Sequence, residues 1–233
     1  MPADWLQTFA AIHVPLSIAA ALWVLADIML LGRRQPMAVM DAVWPLTMLY
    51  WGPLGLLPYL RFGRAAPRGR GPARPAGHHA GRHGPAETPM WQAVFKGAAH
   101  CGAGCALGDL IGDWAAFATG FAPFGSELGG RLLLGFVLAY LFGIVFQYFA
   151  VAPMRGLGLR DGLLAAIRID TLSLLAYQVG MFGWMAFRAW LYPDLPPTNW
   201  AYWLMMQVAM VLGFGTTFPV NWWLIRRGIK ERM

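Results

Sequence analysis

Apolar residues fall along this chain in long unbroken runs, interrupted by short polar or Gly/Pro-rich breaks. Six runs are long enough to match the roughly 20 residues that an α-helix needs to cross a hydrocarbon core. They cover Leu6 to Leu31, Ala38 to Leu60, Trp91 to Thr119, Leu132 to Ala152, Gly162 to Leu191 and Trp200 to Ile225. No run alternates with the period of a half-buried strand, so the pattern predicts an all-α, polytopic membrane bundle of about six spans forming one domain over 1–233. The breaks carry turn signals: Gln35–Pro36, the Gly/Pro turn 121–130, the short loop 153–161 and the Pro-rich turn 192–199. Pro45, Pro53 and Pro58 lie within the second run and predict kinks, tolerated where neighbouring groups satisfy the freed carbonyls. One break differs in kind. Residues from about 61 to 89 are rich in Arg, Gly, Pro, Ala and His, lack the apolar content to fold and predict a disordered linker.

Composition agrees with this class: 58% of residues are hydrophobic and only 12% charged, which is foreign to an ordinary soluble domain. The net charge of +7 is not a nucleic-acid signal, because the arginines sit beside spans, where they set topology and meet anionic lipid. Six crossings place both termini on one side. Thirteen Arg and Lys then fall on that side against four on the other, which predicts cytoplasmic termini in the inner (plasma) membrane. The start, MPADWLQTF, has no basic region or small-residue cleavage site, so no cleaved signal peptide is expected.

The third run carries the chemistry. It contains His100, Cys101, Cys105, Asp109 and Asp113, and ionisable residues inside a span are functional candidates by default. At about 100° per residue, Cys101, Cys105, Asp109 and Asp113 share one slowly drifting stripe, and Gly104, Gly108 and Gly112 form an adjoining one. A GxxxGxxxG stripe lets another helix approach closely. The cysteines sit one turn apart with poorly directed side chains for bridging, so free thiols are expected. Two such thiols suit Cu(I) or Zn(II), with His100 and Asp109 as further donors and Cu(I) favoured by the soft ligands. The plainer reading makes both cysteines small packing residues.

Other intramembrane polar residues are His13, Asp27, Gln147, Asp170 and Asn221. His13 reads most simply as a hydrogen-bonded core histidine, and Asp27 as the partner of Arg33 or Arg34. By depth, His13, His100, Cys101, Gln147, Asp170, Thr216 and Thr217 fall at one level, and Asp27, Asp109, Asp113, Gln178 and Gln207 at a second. His78, His79 and His83 in the linker read as part of a solvated arm. No nucleotide, haem-attachment, zinc-protease or serine-nucleophile motif is present, and no catalytic residue is nominated.

Four segments together, VWPLTMLYWGPL, AHCGAGCALGD, IDTLSLLAYQVGMFGWMA and TTFPVNWWLIRRGIKERM, resemble a family of bacterial integral membrane proteins classed as domain of unknown function 4396. The resemblance implies a membrane bundle and singles out His100, Cys101, Cys105, Asp109, Asp170 and Asn221, without an activity. The expectation is a protein whose partners are the lipid bilayer and a soft metal ion, which it binds or transports. The alternatives are a haem, quinone or thiol redox protein using His13 and His100, and a structural or assembly protein. Oligomeric state is not legible.

Overall fold

The computed structural model describes residues 2–67 and 88–232. Most of the expected linker, including His78, His79 and His83, therefore lies outside the described residues. Six principal helices are present: α1 (Asp4–Met29), α2 (Met40–Trp51), α3 (Met90–Thr119), α4 (Glu127–Arg155), α5 (Leu159–Leu191) and α6 (Trp200–Arg226), with no strand among the described residues. The all-helical expectation holds. Four helices, α1, α4, α5 and α6, are long and apolar enough to cross a membrane. The 30-residue α3 is long enough but less apolar than expected, because its Gly, His and Asp residues are those of a bundle interior.

The helix ends follow from local chemistry. Ser126 Oγ accepts from Gly129 N at 3.0 Å, which starts α4 five residues earlier than the apolar pattern alone indicates. Asn199 opens α6 in the same way by accepting from Ala201 N at 2.9 Å. Gly120 and Gly156, both at left-handed φ, close α3 and α4.

The second apolar run is not a straight rod. Helix α2 stops after 12 residues at Gly52, whose backbone (φ 60°, ψ −151°) is open only to glycine. A 3-10 turn (Gly52–Gly55), one helical turn (Leu56–Pro58) and a π turn (Tyr59–Gly63) then bring the chain back. Trp44 meets Tyr59 at 5.5 Å and Phe62 at 6.1 Å between ring centres. Gln35 Nε2 donates to the Gly63 carbonyl at 3.0 Å, so the segment ends where it began. Its tip, Gly52, lies against His13 and Ser17 on α1. Pro53 has no N–H for the Leu49 carbonyl, and Gln207 Nε2 on α6 donates to that carbonyl instead, at 2.7 Å.

This hairpin reverses the direction expected of everything after it. Helices α1 and α6 run the same way, with Asn199 Nδ2 bonded to Gln7 Oε1 at 3.4 Å and His13 Nδ1 to Gln207 Oε1 at 3.0 Å. Helix α3 runs against both, since Asp113 pairs with Tyr202 near one end and Gly97 lies by Asn221 near the other. The described termini lie at opposite ends of the bundle, not at one end as six crossings require.

Helix α3 packs on α4 through the glycine stripe. A Cβ on Gly104, Gly108 or Gly112 would fall 2.9, 2.2 and 2.7 Å from the backbone nitrogens of Gly143, Ala139 and Gly135. The two backbones are in contact over three turns, as small residues permit. Gly108→Ala should therefore lower stability by about 1–3 kcal/mol or more, measured by thermal unfolding in detergent. Gly183→Ala, with open space around it, should have little effect. Equal midpoints for the two variants would refute the contact.

Candidate functional site

The glycine register fixes which residues meet next. Pairs 104/143 and 108/139 continue by one turn to His100 and Gln147, and His100 packs on Phe146 at 6.0 Å between rings. Gly143 also faces α5: the Asp170 Oδ2 lies 2.7 Å from where its Cβ would be. Cys101 Sγ donates to Asp170 Oδ1 at 3.3 Å. Ser173, one turn on, donates to Asn221 Oδ1 at 3.0 Å, and Thr217 Oγ1 donates to the Ser173 carbonyl at 2.7 Å.

The chain's last described residues complete this layer. After α6 the backbone turns at Gly228 (φ 68°), and the amides of Ile229 and Lys230 both donate to the Leu224 carbonyl. Lys230 is thereby carried inward and is only 2% exposed. Its Nζ lies 3.4 Å from Ser173 Oγ, 3.5 Å from Cys101 Sγ and 4.0 Å from Asp170 Oδ1. His100, Cys101, Gln147, Asp170 and Asn221, all candidates in the sequence, do come together here. Lys230 was missed. Lys230 reads in sequence as one more terminal charge, and only Gly228 hints at a turn.

Polar groups buried in proteins nearly always find partners. In this layer His100 Nδ1 and Nε2, Gln147 Nε2 and Oε1, and Asp170 Oδ2 have none. They come from three helices at one level.

The remaining candidates lie elsewhere. Cys105 Sγ accepts from Gln178 Nε2 at 3.8 Å, and both cysteines are free thiols as expected. Asp109 Oδ1 rests against Gly135, and its Oδ2 has no partner. Asp113 accepts from Tyr202 OH at 2.6 Å, and the buried Arg188 guanidinium lies over the Tyr202 ring at 4.8 Å. Asp27 is not level with Asp113, because α1 and α3 are antiparallel. It sits at the other end, bound by Arg64 (2.5 and 2.9 Å), Tyr59 OH (2.7 Å) and Arg33 (3.5 Å). Arg34 pairs with Asp41 instead, at 2.9 Å. His13 is not beside His100 but joins Gln207 and Ser17 at the hairpin tip. An apolar cavity of about 260 Å³ reaches this tip between α1, α3 and α6, with Asp109 in its wall. Among the described residues no three His, Cys, Asp or Glu side chains group closely enough to hold a metal ion.

Residues 90–230 match the family described as Domain of unknown function (DUF4396). The chain belongs to this family. In this DUF4396 chain the match runs from the start of α3 to Lys230, so it holds every residue of the polar layer and excludes α1 and the hairpin. The VWPLTMLYWGPL segment lies outside it. No curated protein and no solved structure matches the chain.

Gln207 tests the hairpin tip, because it holds His13, Ser17 and the Leu49 carbonyl together. Gln207→Leu keeps the volume and strands those partners. Chemical unfolding in detergent should show a loss of about 1–3 kcal/mol, whereas an unchanged midpoint would mean that the tip is held by packing alone.

Proposed function

We propose that this DUF4396 protein is a multi-pass protein of the inner (plasma) membrane that binds a cation within the bilayer, at the Asp170 layer, and passes it across. The carrying observation is the group of partnerless polar atoms on His100, Gln147 and Asp170, beside a buried carboxylate and ammonium. A charge held at membrane depth is costly and is retained where it serves an ion or proton path. The partnerless acceptors there, Asp170 Oδ2, Gln147 Oε1 and a ring nitrogen of neutral His100, are what a hydrated or stripped cation needs. The broken hairpin that ends mid-bundle is the kind of irregular backbone that membranes tolerate only where protein or a cavity surrounds it.

The same reading sets the topology. The four apolar helices and α3 make five crossings, and the hairpin enters and leaves at one end. Of the described Arg and Lys residues, only Arg131 and Arg188 lie toward the end that carries the amino terminus. The charge-rich end is then cytoplasmic, which puts the amino terminus outside and Lys230 inside. A reporter fused before Met1 should read as external and one fused after Met233 as cytoplasmic. The same reading from both would overturn the five-crossing arrangement.

A Cu(I) or Zn(II) site of His100, Cys101, Cys105 and Asp109 is the second reading. It is favoured by two thiols on successive turns and by the free ring nitrogens of His100. It requires Cys101 to leave Asp170 and Cys105 to leave Gln178. Purified protein in liposomes, under imposed gradients of NaCl, KCl or NH4Cl and followed with an internal pH dye, separates the two. Flux that falls at least tenfold in Asp170→Asn, with normal folding, supports the cation path. No flux in wild type, or equal flux in the variant, overturns it. Bound copper or zinc that disappears in the Cys101→Ser/Cys105→Ser double variant would favour the metal.

A further inference from the structure

Lys230 is buried singly. Arg226, Arg227, Gly228 and Ile229 before it are exposed, as is Arg232 after it. The tail is thus a surface segment that sends one side chain into the bundle, where its methylenes pass alongside Gly97. Its distances to Ser173 Oγ and Asp170 Oδ1, 3.4 and 4.0 Å, exceed the roughly 2.7–2.9 Å of a close charge-assisted bond to oxygen, while the 3.5 Å to Cys101 Sγ is ordinary for a sulfur acceptor. The two oxygens around Nζ are set wider than a lysine requires. Asp170 Oδ2 faces no donor at all.

Charge balance adds a constraint. Lys230 is the only cation paired with Asp170 among the described residues. Withdrawing it would leave a buried carboxylate alone, which is strongly unfavourable, so either a proton or another cation must take its place. An open cavity of about 560 Å³, bounded by Arg155, Asp161, Arg168, Ile169, Gly228 and Ile229, lies beside the tail. Arg155 in its wall pairs with Glu231, the residue after Lys230.

We propose that Lys230 is a tethered cation seated in the intramembrane site, and that the free ligand exchanging with it is ammonium or a small primary alkylammonium. The ligand class follows from the head group now in place: a three-donor ammonium among a carboxylate, a thiol and a hydroxyl. The inference rests on the cation-site reading above. It adds that tail insertion and cation binding exclude each other, so the carboxy-terminal turn gates the site from the cytoplasmic end.

The test is Lys230→Met in the full chain, purified in detergent and unfolded thermally in NH4Cl or methylammonium chloride. NaCl and KCl at equal ionic strength serve as controls. The variant should melt below wild type and recover with ammonium salts, at a half-saturating concentration at least tenfold lower than any wild-type response. Asp170→Asn/Lys230→Met should not respond. No ammonium-specific recovery, equal recovery with NaCl or KCl, or recovery in the double variant would overturn the proposal. If Lys230→Met does not fold, hydrogen exchange on wild type decides: NH4Cl, but not NaCl, should speed exchange at residues 228–232, and no change would overturn the proposal. Flux that depends on Asp170 without ammonium recovery would sink the tether and leave the cation path standing.

Discussion

Everything in the polar layer depends on how closely α3 and α4 approach. At Gly104, Gly108 and Gly112 there is no Cβ to hold the backbones apart, and the facing residues are Gly143, Ala139 and Gly135. Between helices in lipid the hydrophobic effect offers little, so close packing of backbone atoms carries association. That approach also shapes the chemistry. It leaves the α4 glycines open, so that Asp109 and Asp170 lay carboxylate oxygens over Gly135 and Gly143. It also brings Gln147 level with His100. A methyl group in the stripe would push the helices apart and dissolve the layer with them.

The hairpin is the second constraint. Its Gly and Pro residues break the helix at mid-bundle and leave carbonyls without their usual donors. A lipid environment cannot supply them. Gln207 does, at Leu49, while its oxygen meets His13 and its amide also reaches Ser17. One α6 side chain thus joins the hairpin tip to α1. The two polar centres, tip and layer, are carried by different elements but share α6, which holds Gln207 near one end and Asn221 near the other.

Among the described residues, each buried carboxylate of α1, α3 and α5 but one draws a cation, hydroxyl or thiol from a distant element: Asp27 from Arg64 and Tyr59, Asp113 from Tyr202, Asp170 from Lys230 and Cys101. Asp109 has no such partner for its Oδ2. It sits between the layer and the apolar cavity, on the stripe that also holds Cys101, Cys105 and Asp113. The stripe reads as a line of polar groups along the bundle, anchored by hydrogen bonds at its ends, Cys101 to Asp170 and Tyr202 to Asp113, and underpartnered at Asp109 within.

The all-helical class, the bounds of α3, α5 and α6, the glycine face and the membership of His100, Cys101, Gln147 and Asp170 in one layer were all legible in the sequence. They rest on local periodicity and on distance along a helix, which neighbouring residues set by themselves. The tertiary structure alone decided that the second apolar run turns back, because a 23-residue run with three prolines can cross or return, and Gln207 from α6, with Trp44 packed on Tyr59 across the hairpin, chooses between these. That choice sets the direction of α3 relative to α1, and with it the separation of His13 from His100 and of Asp27 from Asp113. Lys230 was hidden for the same reason. A terminal lysine becomes an interior charge only when Asp170, Ser173 and Cys101 from two other helices are already in place to receive it.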